Sequence, residues 1–148
     1  MITYFIEGKK PSKKLRAFTQ DCINSLFGDN QPYFDIDINL RKFVKKGQFA
    51  GLCTGDDKGV MIDLATHFRM DCGSIEKFEP HEFASNLAHE LVHAKQFARN
   101  QINSIDYIWT RGEIEVDCSN LEYLETPWEV EAYGLEQVLT DLFWEEED

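Results

Sequence analysis

The residue types best suited to chemistry in this chain stand together in the run His89-Glu90-Leu91-Val92-His93. Two histidines four residues apart lie on the same face of a helix, one turn above the other. Their imidazoles can therefore hold one zinc ion, and the glutamate between them is placed to activate a water molecule bound to that ion. The run predicts a metal site with His89 and His93 as ligands and Glu90 as the general base.

The residues around this motif predict the helix that such a site requires. Apolar residues recur at helical intervals between Phe83 and Ala94, within a run from Pro80 to about Asn100. A proline suits the first turn of a helix. The apolar neighbours indicate burial, and two buried histidines beside a glutamate are hard to satisfy without a metal ion.

A catalytic zinc site needs three protein ligands and one open position. The remaining histidines, His67 and His81, precede the motif, and we expect both at the surface rather than at the metal. The third ligand is therefore expected to be a glutamate on a later helix. Glu129 and Glu131 are the candidates there, and because they are two residues apart they point to different faces of that helix.

The spacing around these two glutamates leaves both open. Glu129 stands three residues before Ala132, which puts a small residue on its face and would let the two helices approach closely. However, Thr126 and Glu129 also fit a helix capping box, in which the glutamate turns back to the Thr126 amide. A glutamate used in this way cannot easily bind metal, and Glu131 would then be the ligand.

The patterns along the chain predict one α+β domain over residues 1–148, with a small, mostly antiparallel sheet and an acidic tail at residues 143–148. Strands are predicted at residues 2–7, 34–40, 48–54 and 60–65, and helices at 12–27, 80–100 and 127–144. Residues 68–78 read as an irregular link, and a short hairpin is predicted near Ile114 and Val116. The inward positions of the last helix are predicted to be Trp128, Ala132, Leu135, Val138, Leu139 and Leu142.

The composition of the chain disfavours two classes of binding partner, nucleic acids and membranes. The formal net charge is −12, from 27 acidic and 15 basic residues, which disfavours direct binding to a nucleic-acid backbone. No run of eighteen apolar residues occurs, so no transmembrane helix or membrane partner is expected. The first residues lack the features of a secretion signal, which favours the cytoplasm. There we expect the cysteines to be reduced, mostly buried thiols: Cys22, Cys53, Cys72 and Cys118.

Three segments together resemble a known family. They are residues 89–96, the run Trp109-Thr110-Arg111-Gly112, and Pro127-Trp128-Glu129-Val130-Glu131-Ala132-Tyr133. This set resembles small metallopeptidases of the SprT-like and minimal gluzincin kind, which are often found in bacteriophages. The resemblance implies a zincin-like core, zinc held by His89, His93 and a downstream glutamate, Glu90 as the general base, and location in a host cytoplasm. Its E-x-x-A spacing supports Glu129 as the third ligand.

The chain departs from that family in two places. Gluzincins carry an aspartate four residues after the ligand glutamate, where it orients a histidine, and this chain has Tyr133 there. SprT proteins use a third histidine that this chain lacks, so action on DNA–protein crosslinks is not carried over.

The sequence therefore favours zinc-dependent hydrolysis of peptide bonds in a protein or peptide substrate. The residues that could stabilise the oxyanion are, by type, Tyr107, Tyr123, Tyr133 and Arg111. Trp109 and Trp128 are expected to pack near the site. One alternative is an acidic binding or inhibitor protein with a structural or vestigial zinc site, which the net charge suggests. Another is an amidase that acts on cell-wall peptide or a small amide.

Overall fold

The computed structural model describes residues 1–28 and 33–144. Within these ranges the chain has the predicted α+β composition, with three α-helices at Lys13–Phe27 (α1), Pro80–Ala98 (α2) and Pro127–Phe143 (α3). The strands β1 to β9 are, in chain order, Ile2–Glu7, Phe34–Arg41, Gly51–Gly55, Gly59–Ala65, His67–Arg69, Ile75–Lys77, Ile102–Asn103, Ile108–Arg111 and Ile114–Asp117. The turn predicted at residues 29–32 lies outside the described residues.

The main sheet has four strands in the order β1-β2-β4-β3. β2 pairs in parallel with both β1 and β4, and only β3 and β4 are antiparallel. The expectation of a mostly antiparallel sheet is therefore wrong for this sheet. The connections explain the difference, because α1 lies between β1 and β2 as a helical crossover, whereas a short turn reverses the chain between β3 and β4. As a result β3 forms one edge of the sheet.

Two small antiparallel sheets flank the main one. β5 pairs with β6 within the segment that was expected to be an irregular link. β8 lies between β7 and β9, and its pairing with β9 confirms the hairpin predicted near Ile114 and Val116. These pairs are too short for a clear alternation of apolar and polar residues, which explains why only one of them was predicted.

One face of the main sheet is buried against the helices. Ile36 and Ile38 of β2 and Ile62 of β4 have no exposed surface. Asp35 and Asp37, which alternate with the isoleucines of β2, are exposed. This alternation is the strand pattern predicted from the sequence. Side chains of all three helices join the same core cluster, so the helices are held on the sheet by apolar burial.

The first helix begins and ends where the sequence predicts. The side chain of Ser12 accepts a hydrogen bond from the Leu15 backbone amide at 3.1 Å, which caps the N-terminus of α1. Gly28 follows the last turn with a φ of 68°, a conformation that favours glycine.

The last helix turns a different face inward from the one predicted. Its buried apolar side chains are the expected Trp128, Ala132 and Leu139. Val138 and Leu142 are 49% and 65% exposed, so their predicted inward positions are wrong. In their place Glu129 and Thr140 are buried, because the helix is rotated towards its polar residues. That rotation brings carboxylates to α2.

The first two residues of the predicted acidic tail are packed against the rest of the domain. Phe143 is the last residue of α3, and the Trp144 ring packs edge-on against Phe18 with ring centroids 5.4 Å apart. The ammonium of Lys14 lies 4.2 Å from the centre of the Trp144 ring. Both residues therefore belong to the packed structure, and residues 145–148 lie outside the described part of the chain.

The cysteines are free thiols, and their burial differs. Cys22 and Cys118 are buried as predicted, Cys53 is half-buried and Cys72 is exposed. The expectation of burial is therefore wrong for Cys72. Among the described residues, no helix combines the length and the hydropathy needed to cross a membrane.

Candidate metal centre

The two motif histidines lie side by side on the inner face of α2. Their Nε2 atoms are 3.2 Å apart, and the exposed fractions of His89 and His93 are only 8% and 7%. The helix produces this arrangement because residues four apart stand one turn above each other. The predicted pairing of these two histidines is therefore present.

The third predicted ligand, Glu129, reaches the same point from α3. Its Oε1 atom lies 2.7 Å from Nε2 of His93, and its Oε2 atom lies 3.2 Å from Nε2 of His89. The side chain is buried, and Oε2 receives no hydrogen bond of good geometry from any described residue. One ligating atom from each of the three residues lies within 4.8 Å of the other two.

The structure also distinguishes Glu129 from Glu131, the other candidate for the third ligand. Thr126 is the N-cap of α3 but forms no side-chain capping bond, so the capping box predicted with Glu129 is absent. A capping box forms instead one turn earlier, between Glu122 and Glu125 of the 3₁₀ helix Tyr123–Glu125. The carboxylate of Glu131 is not part of the cluster, because its Oε1 pairs with Lys95 at 2.8 Å and accepts a hydrogen bond from the Gln96 amide at 3.2 Å.

Nδ1, the ring nitrogen of each histidine on the side away from the cluster, contacts a side chain that the sequence did not predict. Nδ1 of His89 lies 3.0 Å from Oε1 of Glu136, and Nδ1 of His93 lies 2.8 Å from Oε1 of Gln96. The amide nitrogen of Gln96 donates to the Trp128 carbonyl at 3.0 Å, so its oxygen must face the histidine. Both partners accept, which places a proton on each Nδ1 and leaves each Nε2 lone pair facing the centre.

This donor set fits a zinc ion. Two imidazole Nε2 atoms and two carboxylate oxygens converge at this point, and protonating both Nε2 atoms would set two N–H groups against each other at 3.2 Å. One cation satisfies all of them. Ligand atoms about 2.1 Å from a tetrahedral ion are about 3.4 Å apart, close to the observed spacing. Histidine nitrogen and carboxylate oxygen are also ligands that zinc accepts.

The charges within the cluster shift its pKa values. Burial lowers the pKa of His89, but its hydrogen bonds with the carboxylates of Glu129 and Glu136 outweigh burial and raise that pKa to about 10. Burial raises the pKa of Glu129, yet its hydrogen bonds with His89 and His93 hold it at about 2. Without an ion the cluster therefore retains a proton that a metal must displace.

Glu90 stands beside the cluster without joining it. Its side chain is buried between α2 and β3, where a Cβ atom built on Gly51 would lie 2.9 Å from Cγ and 3.2 Å from Oε1 of Glu90. Only glycine at position 51 leaves room for this carboxylate. Burial raises the pKa of Glu90, although His93 and His89 act in the opposite direction. A raised pKa brings a carboxylate closer to the range useful to a general base.

Of the four residues considered for an oxyanion role, two line the site. The Tyr133 ring contacts the His89 ring with centroids 4.6 Å apart, and both Tyr123 and Tyr133 line a cavity with His89 and Glu90. Burial and the Glu129 carboxylate raise the pKa of Tyr123, so its phenol stays protonated as a donor. Tyr107 packs near Trp128 instead, and Arg111 is exposed on β8.

Comparisons with protein-family models, curated proteins and solved structures give no match for this chain. We therefore infer the function from the residues and geometry of the site.

Three residues of the site had no place in the sequence-based prediction: Gln96, Glu136 and Gly51. Glu136 is seven residues, or two helical turns, after Glu129, and so returns to the same face of α3. The seven-residue spacing was the sequence feature from which Glu136 could have been predicted. No sequence feature pointed to Gly51, because its contact with Glu90 joins a strand to a helix that is distant in the chain.

Proposed function

We propose that this protein is a zinc-dependent metallopeptidase with a zincin-like core. The observation that carries the proposal is the convergence of two His Nε2 lone pairs and the Glu129 carboxylate, beside a buried glutamate that is not one of the ligands. His89, His93 and Glu129 would hold the ion. Glu90 would act as the general base.

The number of ligands favours a catalytic over a structural ion. Structural zinc sites are closed by four protein ligands, whereas catalytic sites have three and leave one position open. Among the described residues, the cluster contains three groups able to bind a metal, and no cysteine belongs to it. A cavity of about 320 Å³ reaches His89 and Glu90, so a substrate has access to the open side.

Each side chain then has a distinct role in hydrolysis. When bound, zinc supplies a Lewis acid that lowers the pKa of water and polarises a carbonyl group. Glu90 accepts the proton of the attacking water and delivers it to the leaving amine. Tyr123 and Tyr133 are the donors available to the oxyanion that develops on the carbonyl oxygen. Glu136 and Gln96 keep the two imidazoles in the tautomer that binds metal.

The edge of the main sheet favours a peptide as the substrate over a small amide. β3 lies beside the cluster, and the side of this strand that faces away from β4 has no partner strand among the described residues. Its free backbone N–H and C=O groups can pair with an extended peptide. A small amide would leave these groups unused.

The proposal is tested by the hydrolysis of an unfolded protein with zinc-loaded wild type and Glu90→Gln. We expect the variant to keep its zinc and to lose roughly 10²- to 10⁴-fold in rate. Glu131→Gln is the matched control, because it removes the same charge from α3 outside the cluster, and it should retain the wild-type rate.

Two results would contradict the proposal. One is equal hydrolysis by wild type and Glu90→Gln. The other is no hydrolysis by wild type that carries its zinc, and this result would direct attention to the alternative of an acidic binding protein.

A further inference from the structure

Two cavities adjoin at the proposed catalytic base, where they share lining residues, and together they are called the groove. A cavity of about 320 Å³ lies on the His89 side and one of about 470 Å³ on the His93 side. Gly51, Glu90 and Tyr123 line both. Each cavity also has an exposed lining residue that the other lacks, Gln48 in the smaller and Gly55 in the larger. A polypeptide chain can therefore enter at one end, pass the metal cluster and leave at the other.

The two ends of this groove differ in chemistry. The larger cavity is lined on the His93 side by the apolar residues Phe97, Ile102 and Trp128. The smaller cavity has a mixed lining, with the polar side chains of Gln48, Asn86 and Glu136 beside the rings of Phe49 and Tyr133. Burial of one leucine-sized side chain in the apolar end would favour binding strongly, whereas the mixed end offers less apolar surface to such a side chain.

The direction of β3 decides which part of a substrate meets the apolar end. The strand runs from Gly51, against Glu90, to Gly55 at the far end of the larger cavity. A peptide that pairs with this edge in the antiparallel sense runs the opposite way, and antiparallel pairing is the more stable arrangement. The residues N-terminal to the bond at Glu90 then lie along residues 52–55, beside the apolar side chains.

The groove also lacks the groups that would hold a chain end. Neither cavity is lined by a lysine or arginine among the described residues, so no cation is available to bind a terminal carboxylate. The carboxylates of Glu129 and Glu136 already pair with the histidines and are not free to bind a terminal amine. Exopeptidases need one of these two anchors.

We infer that the site cleaves internal peptide bonds of extended chains that carry large apolar side chains just N-terminal to the scissile bond. This inference rests on the proposed function, because it places the bond at the zinc cluster. The substrates it describes are unfolded or flexible segments, since a strand that is paired on both sides has no free edge to offer β3.

A binding experiment tests the side-chain preference without relying on turnover. Acetyl-trileucine hydroxamate and acetyl-triserine hydroxamate would each bind the metal through the hydroxamate and place their residues on the N-terminal side. Calorimetry with zinc-loaded Glu90→Gln should give at least about tenfold tighter binding for the leucine compound. Ile102→Ser should reduce this difference, whereas Val138→Ser, at an exposed position on α3, should not.

Cleavage-site mapping by wild type tests the rest of the inference. Mass spectrometry of fragments from an unfolded protein should show internal cuts, with leucine, phenylalanine and similar residues enriched within three positions before the cut. Equal binding of the two hydroxamates, enrichment after the cut, or cuts confined to chain ends would overturn the inference and leave the proposed function standing. A strong leucine preference in binding with no cleavage by wild type would support the groove's specificity and overturn the proposed function.

Discussion

The Nδ1 atom of His89 lies 3.0 Å from Oε1 of Glu136, and the other carboxylate oxygen of Glu136 accepts a hydrogen bond from Ser85 at 2.7 Å. α3 therefore supplies one glutamate to the candidate metal site and a second that orients one of the histidines there. Such outer partners fix the ring and its tautomer and strengthen the ligand. The two helices are thus tied together at the metal centre.

Removing this outer partner should weaken metal binding without abolishing it. Glu136→Ala is expected to raise the dissociation constant for zinc about 10- to 100-fold, because the His89 ring loses its orientation. Competition with a zinc-chelating dye measures this change. Glu131→Gln provides the control on the same helix, and an unchanged affinity in Glu136→Ala would show that the contact has no role in binding.

A methyl group on Gly51 should disable the base while sparing the metal. In Gly51→Ala the new Cβ would lie 2.9 Å from Cγ of Glu90, so the carboxylate must move. A misplacement of about 1 Å in a reacting group can cost about a hundredfold in rate. We expect that loss in kcat together with full zinc content. An unchanged kcat would mean that the position of Glu90 is not critical.

Gly134 offers the matched control for that substitution. A Cβ built there meets nothing within 4 Å, and the residue is exposed in α3. Gly134→Ala should therefore keep full activity and stabilise the protein by roughly 0.5–1 kcal/mol, since alanine loses less conformational freedom in a helix. Urea unfolding measures the gain, and a loss of stability would show that the helix is strained at this position.

The stability of the metal-free protein should depend on pH through the cluster. The pKa of His89 is about 10 in the folded chain against an ordinary value of 6.5, so its stabilising contribution is present below pH 6.5 and is lost as the pH rises towards 10. The pKa of Glu129 is about 2, against 4.5, so its contribution is lost as the pH falls from 4.5 towards 2.

Thermal unfolding after chelation should therefore show a lower Tm at pH 9 than at pH 6, by roughly 5 °C. Added zinc should reverse that trend, because protons and the metal compete for the same nitrogen atoms. Glu129→Gln is the control and should flatten both responses. A chelated protein whose Tm is the same at both pH values would contradict the described coupling.

The four thiols should react at very different rates. Cys72 is exposed, and hydrogen bonds with Ser74 lower its pKa. Burial raises the pKa of Cys22 to about 12. A colorimetric thiol reagent at neutral pH should therefore modify one cysteine quickly, and the Cys72→Ser variant should lack that phase. A fast phase that persists in the variant would place the reactive thiol elsewhere.

The sequence predicted those parts of the site that depend on local spacing. His89, Glu90 and His93 share one helix, and the helical repeat alone sets their relation. The choice between Glu129 and Glu131 depends on the rotation of α3 against α2. The sequence favoured Glu129, which the structure places beside the two histidines, without excluding Glu131. Glu136 and Gln96 escaped prediction because their roles arise only when the two helices meet.

The fold shows the same division between local and long-range information. The alternation along β2 and the Ser12 cap predicted where elements begin and which strand face is buried. The alternation of apolar and polar residues does not indicate strand direction, because it is the same in parallel and antiparallel pairs. Direction depends instead on the connections. α1 carries the chain back between β1 and β2, and β3 runs back between β2 and β4, so the parallel pairing of β2 with both neighbours was missed.

The most direct test of the central claim is the zinc content of purified wild type, His89→Ala, Glu129→Gln and Glu131→Gln. The described site predicts about one zinc per chain in wild type and in Glu131→Gln, and loss of most of it in the other two variants. Circular dichroism would confirm that each variant is folded. Zinc retained in folded Glu129→Gln, or lost in Glu131→Gln alone, would contradict the assignment of His89, His93 and Glu129 as the metal ligands.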